Sequence, residues 1–230
     1  MIQLIYIHQH FPGGRHSLFL LLPTLLNAKV YLVSVGISDY RGTEDDLTLC
    51  KGDAEDVAAL YKKNNNAEII LLTDKRATTT SVTQSMNNLF SKAKENDIVV
   101  LFYSGHGEQK GLYLYDKTLS FKTIVSIYDK LRCKNKMIFL DSCFSGSLRG
   151  KATIQQKDIV LSNNVMFFLA SRSNEYSIEN SWDFENSYFT HALIRALSGK
   201  ADANRNRIIT AKELFAYVSK HVKEYSNNKQ

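Results

Sequence analysis

Long apolar runs that stop at small or polar residues are the main pattern along this chain. The strongest runs are Val30–Gly36, 97–103 and 136–140, and shorter ones occupy 68–73 and 165–170. Continuous apolar runs of this length, without alternation of polar positions, are typical of parallel strands that are buried on both faces. The pattern therefore predicts a central, mostly parallel sheet.

Segments with helical spacing separate these runs. In residues 53–63, for example, Val57, Leu60 and Tyr61 fall on one face of a helix. Alternation of strands and helices predicts an α/β fold with helices on both faces of the sheet. Helices are predicted at 53–63, 78–95, 120–131, 189–197 and 211–225, and a short hairpin arm is predicted at 111–115.

Two of the predicted strands end at a reactive side chain between small residues. VVLFYSGHG leads to His106, and MIFLDSCFSG leads to Cys143. Because the carboxyl ends of neighbouring parallel strands share one rim, the two side chains are expected to lie close together. An imidazole there could take the proton of a thiol, whose ordinary pKa is about 8.5. The backbone N–H groups of Gly107 and Cys143 are candidates for binding an oxyanion.

The two motifs also resemble a known family. YSGHG and DSCFSG are similar to the His and Cys motifs of caspase-like cysteine peptidases, on the metacaspase and bacterial side of the family. VYLVSVGISDY and LCKGDAEDVAAL resemble the family's first strand and first helix. The resemblance implies a caspase-like fold over residues 29–230 and a cysteine-type endopeptidase. It makes His106 the base, Cys143 the nucleophile and peptide bonds the substrate.

The resemblance extends to specificity and processing. It implies that Asp141 and Asp53 line the S1 pocket, which would favour Arg or Lys at P1 through charge-assisted hydrogen bonds. Asp53 could instead cap the helix that follows it, and Asp141 could anchor its loop. The polar segment 148–159 corresponds to the linker that the family cuts on activation, with Arg149 and Lys151 as candidate sites; it could equally be an ordinary surface loop.

We predict no metal site and no cofactor. The chain passes from Gly107 directly to a strand, without the acidic insertion of calcium-dependent metacaspases. One later segment does match the ligand spacing of an EF-hand, but Arg207 stands where the turn glycine belongs, so we interpret it as a turn capped by polar side chains. The residues at its ligand positions are Asp202, Asn204, Asn206 and Glu213.

Composition indicates how many domains the chain forms and which kinds of partner it binds. The chain has 230 residues, of which 44% are hydrophobic, which suits one globular domain. Its net charge of +6 comes from scattered basic residues, so we expect no nucleic-acid partner. The partner that the family resemblance implies is a peptide or protein substrate. The oligomeric state stays open. The chain has three cysteines. Cys50 and Cys133 could form a disulfide or remain as two buried free thiols, and Cys143 is free in either case.

The N-terminal segment 1–28 differs from the rest. LFLLLPTLL at residues 18–26, followed by Asn27-Ala28, resembles the apolar region and cleavage site of a signal peptide, and it is too short to span a bilayer. We therefore expect export, to the periplasm or outside the cell. The alternative is an N-terminal helix packed on a cytoplasmic domain.

Two other functions fit the same sequence. A catalytically silent caspase-fold module could serve as a binding scaffold, and a thiol acyl-transferase could use the same His–Cys pair.

Overall fold

The computed structural model describes residues 3–5, 28–108, 110–142, 165–170 and 185–226. Several predicted features lie outside these ranges. They are the apolar segment 18–26, the nucleophile Cys143 and the candidate processing residues Arg149 and Lys151.

A five-stranded, all-parallel sheet forms the centre of the molecule. Its strands lie in the order β3-β2-β4-β8-β9. Their bounds are β2 (Val30–Gly36), β3 (Ala67–Thr73), β4 (Ile98–Ser104), β8 (Asn135–Asp141) and β9 (Val165–Leu169). The three inner strands, β2, β4 and β8, are almost wholly buried, as their apolar sequences require.

Helices cover both faces of this sheet, as the alternating pattern predicts. On one face, α2 (Thr79–Phe90) and α3 (Phe121–Asp129) pack against Val33, Leu101 and Ile138. On the other face, α1 (Cys50–Lys62), α4 (Tyr188–Arg195) and α5 (Ala211–Tyr225) pack against a second apolar cluster. The predicted α/β class is therefore confirmed.

Smaller elements complete the described chain. The predicted hairpin arm is part of a three-stranded antiparallel sheet, which contains β5 (Gly107–Glu108), β6 (Gly111–Tyr113) and β7 (Thr118–Ser120). A separate parallel pair joins β1 (Gln3–Ile5) to β10 (Ile208–Thr210). None of the helices in the described ranges is long and apolar enough to cross a membrane.

The predicted helix bounds differ from the observed ones by more than two residues at two places. The first helix begins at Cys50, because Asp53 N already donates to Leu49 O. The helix predicted at 78–95 ends at Phe90, because Lys92 N and Ala93 N donate to carbonyls only three residues back. Such short-range bonds close a turn and stop the α-helix.

The EF-hand-like segment forms the polar turn that the sequence predicts. Asp202 accepts hydrogen bonds from the backbone N–H groups of Asn206 and Arg207, at 3.1 and 2.8 Å. Glu213 accepts from Thr210 N at 2.9 Å, in the capping box of α5. The described chain contains no cluster of three His, Cys, Asp or Glu side chains that could hold a metal ion.

Candidate active site

Three strands end together at one edge of the sheet. Gly36 of β2 pairs with Ser104 of β4, and Ser104 pairs with Asp141 of β8. One residue further, Gly105 N donates to Asp141 O at 3.2 Å. His106 follows Ser104 by two residues, and Cys143 follows Asp141 by two residues. The two motifs therefore leave neighbouring strands at the same level, although Cys143 itself lies outside the described residues.

The ring of His106 is oriented by a backbone carbonyl. Its Nε2 lies 2.8 Å from Asp45 O, in the loop between β2 and α1. A carbonyl oxygen can only accept a hydrogen bond, so Nε2 must carry the proton in this contact. In the neutral ring, Nδ1 is then the nitrogen with a free lone pair. This is the state that a general base requires.

Two buried tyrosines fix the backbone of His106. Tyr40 Oη accepts a hydrogen bond from His106 N at 2.9 Å, and Tyr103 Oη donates to His106 O at 2.6 Å. The rings of Tyr40 and His106 lie 5.0 Å apart, centroid to centroid. Burial raises the pKa of both phenols above their ordinary value, so both stay protonated. The histidine is therefore held on both sides of its peptide unit.

Glycine at position 105 is a packing requirement. A Cβ atom there would lie 2.6 Å from Tyr103 Oη and 2.7 Å from Tyr40 Oη. Both tyrosines are buried and hydrogen-bonded, so they have little room to give way. A side chain at position 105 would displace the hydroxyls that hold His106.

Helix α1 brings Asp53 to the same edge. Ser34 Oγ of β2 donates to Ala54 O at 2.8 Å, and a Cβ atom at Gly36 would collide with Cys50 O. The helix therefore crosses the end of β2 at close range. Asp53 lies inside the first turn of α1, whose N-cap residue is Leu49. The alternative in which Asp53 caps this helix is wrong, because the helix begins three residues earlier.

Asp53 and Asp141 form one buried acidic site. Asp53 is 0% exposed and Asp141 is 2% exposed. Ser187 joins them, because its N–H donates to Asp53 Oδ1 at 3.0 Å and its hydroxyl donates to Asp141 Oδ2. Thr190 Oγ1 also donates to Asp141 Oδ2, at 2.7 Å, and Ser104 Oγ donates to Asp53 Oδ2, at 2.9 Å. The structure thus brings together the two carboxylates that the family resemblance places in the S1 pocket.

Opposing effects set the proton affinity of this site. Burial, and next the negative charge of Asp141, raise the pKa of Asp53 to about 7, against the hydrogen bonds from Ser104 and Ser187. Two adjacent buried carboxylates repel each other when both are ionised. Near neutral pH the pair therefore readily holds a proton.

The sequence reasoning missed several residues of the site. Tyr40, the last residue of VYLVSVGISDY, and Asp45 come from the irregular loop between β2 and α1, and the sequence assigned neither of them a role. Ser187 and Thr190 stand at the N-terminus of α4, where Ser-x-x-Thr spacing signals a helix cap but says nothing about which carboxylate the cap faces. These contacts depend on tertiary packing.

Cys50 and Cys133, the two cysteines within the described ranges, are not joined by a disulfide. The structure therefore does not contain the disulfide that the sequence left open. Cys50 is half-buried and Cys133 is buried. Burial raises the pKa of the Cys133 thiol to about 11. A thiol with so little thiolate at neutral pH is a poor nucleophile.

Comparisons with known proteins bear on this arrangement. A family model described as the caspase domain matches residues 30–230. Among solved structures, protein GSU0716 from Geobacter sulfurreducens aligns with a TM-score of 0.47 and 25% identity, over 52% of this chain and 52% of that one. The chain thus spans about half the length of that protein, a likeness too partial to bear on function. The search of curated proteins found no match.

Proposed function

Because the chain belongs to the caspase-domain family, we propose that it is a cysteine endopeptidase with His106 as general base and Cys143 as nucleophile. The observation that carries the proposal is the shared register of β4 and β8, from which the two motifs leave side by side. The carbonyl of Asp45 adds support, because it leaves the Nδ1 lone pair of His106 available.

The reaction follows from these roles. His106 Nδ1 takes the proton of Cys143 Sγ, and the thiolate attacks the carbonyl carbon of the scissile peptide bond. Backbone N–H groups of Gly107 and Cys143 would bind the oxyanion. When the intermediate collapses, the C–N bond breaks and His106 returns the proton to the leaving amine. Water, deprotonated by His106, then hydrolyses the thioester and restores the thiol.

We further propose that the acidic site selects Arg or Lys at P1. Asp53 and Asp141 lie at the same sheet edge as His106, and a cationic side chain between them would remove their mutual repulsion. Their burial supports a competing role, in which the pair only anchors the first turn of α4. Asp141→Asn should reduce the preference for Arg and Lys at P1 if the pair binds the substrate. It should leave that preference unchanged if the pair only anchors α4.

Self-processing is part of the same proposal. If segment 148–159 is an activation linker, the basic residues Arg149 and Lys151 match the proposed P1 preference. Wild-type protein should then yield two fragments cut after one of them, and Cys143→Ala should stay whole.

A peptide library with every residue at P1 tests the proposal. Wild type should cleave after Arg or Lys at least about a hundredfold faster than after Asp, since two charge-assisted hydrogen bonds are at stake. Cys143→Ala and His106→Ala should each abolish turnover, with non-additive effects in the double variant. Retained hydrolysis in either single variant rules out the dyad, and ligation of the acyl group to an added amine identifies a transferase.

A further inference from the structure

The chain uses one capping sequence twice, in two different ways. Ser120 is the N-cap residue of α3, with Thr123 three residues later. Ser187 is the N-cap residue of α4, with Thr190 three residues later. In both helices the serine Oγ accepts a hydrogen bond from the threonine N–H at 3.2 Å. The backbone function of the two caps is therefore the same.

The hydroxyl groups differ. In α3, Ser120 Oγ and Thr123 Oγ1 bond to each other at 2.9 Å. In α4, both hydroxyls donate instead to the same oxygen, Asp141 Oδ2, as described above. Ser187 is 5% exposed and Thr190 is 0% exposed, so these donors are fixed in a water-poor site. Capping alone does not require this arrangement, as α3 demonstrates.

We propose that Ser187 and Thr190 are positioning residues of the acidic pair, which hold Asp141 and Asp53 together as one receptor for the basic P1 side chain. The inference rests on the proposed function of this pair as the P1 site. Neither hydroxyl needs to touch the substrate. Each acts through the carboxylates, by fixing their orientation and by stabilising their ionised form.

Charge explains why such donors matter at this place. The hydrogen bonds from Ser104 and Ser187 oppose the rise in the pKa of Asp53 that burial and Asp141 cause. In the described chain, the other titratable side chains within four residues of Asp53, Asp141, Ser187 or Thr190 are Cys50, Lys51, Glu55, Asp56, Glu185, Tyr188 and His191. Lys51 carries a positive charge, but its ammonium group pairs with Asp74 at 3.3 Å. No cation is among the groups that shift the pKa of Asp53, so hydroxyl and N–H donors stabilise the pair until a cation binds. Its arrival releases the remaining proton to water.

Matched variants of the two caps test the inference. We expect Thr190→Val to raise KM for a P1-Arg peptide about tenfold near pH 6 but only about threefold near pH 8.5, because loss of a donor favours the protonated pair. Thr190→Ser should restore the wild-type values. Thr123→Val, the corresponding change in α3, should leave KM unchanged at both pH values.

Stability measurements keep the result interpretable. Urea unfolding of each variant at both pH values reports whether the fold persists. If Thr190→Val does not fold, Ser187→Ala takes its place, with Ser120→Ala as its control, because both lose only a cap hydroxyl. Ser187→Ala keeps the N–H bond to Asp53 and should show the same pH-dependent rise in KM.

Two outcomes overturn the inference in distinguishable ways. If wild type prefers basic P1 residues but the α4 and α3 variants lose similar stability with an unchanged KM profile, the hydroxyls of α4 serve only as a cap. If wild type itself shows no preference for basic P1 residues, the proposed specificity fails first, and the role of Ser187 and Thr190 in it fails with it.

Discussion

His106 is held by contacts from the loop between β2 and α1 and from strand β4. Asp45 supplies a carbonyl to its ring, Tyr40 supplies a hydroxyl to its N–H, and Tyr103 supplies a hydroxyl to its carbonyl. A general base must lie within hydrogen-bond reach of its proton donor, and small displacements of such groups are costly to rate. The tyrosines are therefore expected to affect catalysis without touching substrate.

Tyr103→Phe tests this at the level of one atom. Loss of the buried hydroxyl should cost about 1–2 kcal/mol of unfolding free energy and lower kcat/KM about tenfold, because the carbonyl of His106 keeps only the backbone donor Tyr113 N, at 3.0 Å. Tyr128→Phe is the matched control. Tyr128 is equally buried and donates to Met137 O at 3.1 Å, away from the site. Equal kcat/KM in the two variants would contradict the positioning role.

The positions of the motif residues could be predicted from the sequence because each residue lies in, or directly after, a single strand or helix. His106, Asp141 and Asp53 stand next to recognisable apolar runs or motifs. Tyr40, Asp45, Ser187 and Thr190 could not be predicted, because their roles arise only when distant segments pack together. Asp53 and Ser187 are separated by 134 positions, yet they share a hydrogen bond.

At the scale of elements, the carboxyl ends of the strands determine where the candidate active site lies. The five strands of the central sheet were predicted to within one residue of their observed bounds, since a buried parallel strand is a continuous apolar run. Helix bounds were less accurate. The start of α1 depends on Leu49, which carries no capping side chain, and the end of α2 depends on turn hydrogen bonds that no residue type signals.

Glycine substitutions separate strand-end geometry from ordinary helix propensity. Gly105→Ala should destabilise the protein by about 1–3 kcal/mol and lower activity at least about tenfold, because the new methyl group overpacks against two buried hydroxyls. In Gly52→Ala, the added Cβ in α1 would have no neighbour closer than Glu185 O at 4.0 Å. That variant should instead gain about 0.5 kcal/mol. An active, stable Gly105→Ala enzyme would refute the close packing described here.

At the scale of the whole molecule, a basic protein contains an acidic site. The chain carries a net charge of +6, yet Asp53 and Asp141 are buried together beneath the N-terminus of α4. Burying like charges lowers stability unless a proton or a ligand compensates. The global stability should therefore register the ionisation of this one pair.

Unfolding at several pH values measures this effect. The pKa of Asp53 is about 7 in the folded chain against an ordinary value of 3.8, so the folded state holds a proton that the unfolded state has lost. Its contribution to stability is full below pH 3.8 and is lost as pH rises to about 7. The stability of wild type relative to Asp53→Asn should fall across this window.

The control for this series is Glu55→Gln, which removes one negative charge from an exposed position in α1. Its stability relative to wild type should change far less with pH. If the two variants give parallel curves, the acidic pair does not hold a proton in the folded protein.

The most direct measurement of the central claim is labelling with a peptidyl acyloxymethyl ketone that carries Arg at P1. We expect a single adduct at Cys143, formed about a hundredfold faster than with an Asp probe and abolished by His106→Ala. Cys133 should stay unmodified, since burial raises its thiol pKa to about 11. Equal labelling of Cys50, or faster reaction with the Asp probe, would contradict a His106–Cys143 peptidase that selects basic residues.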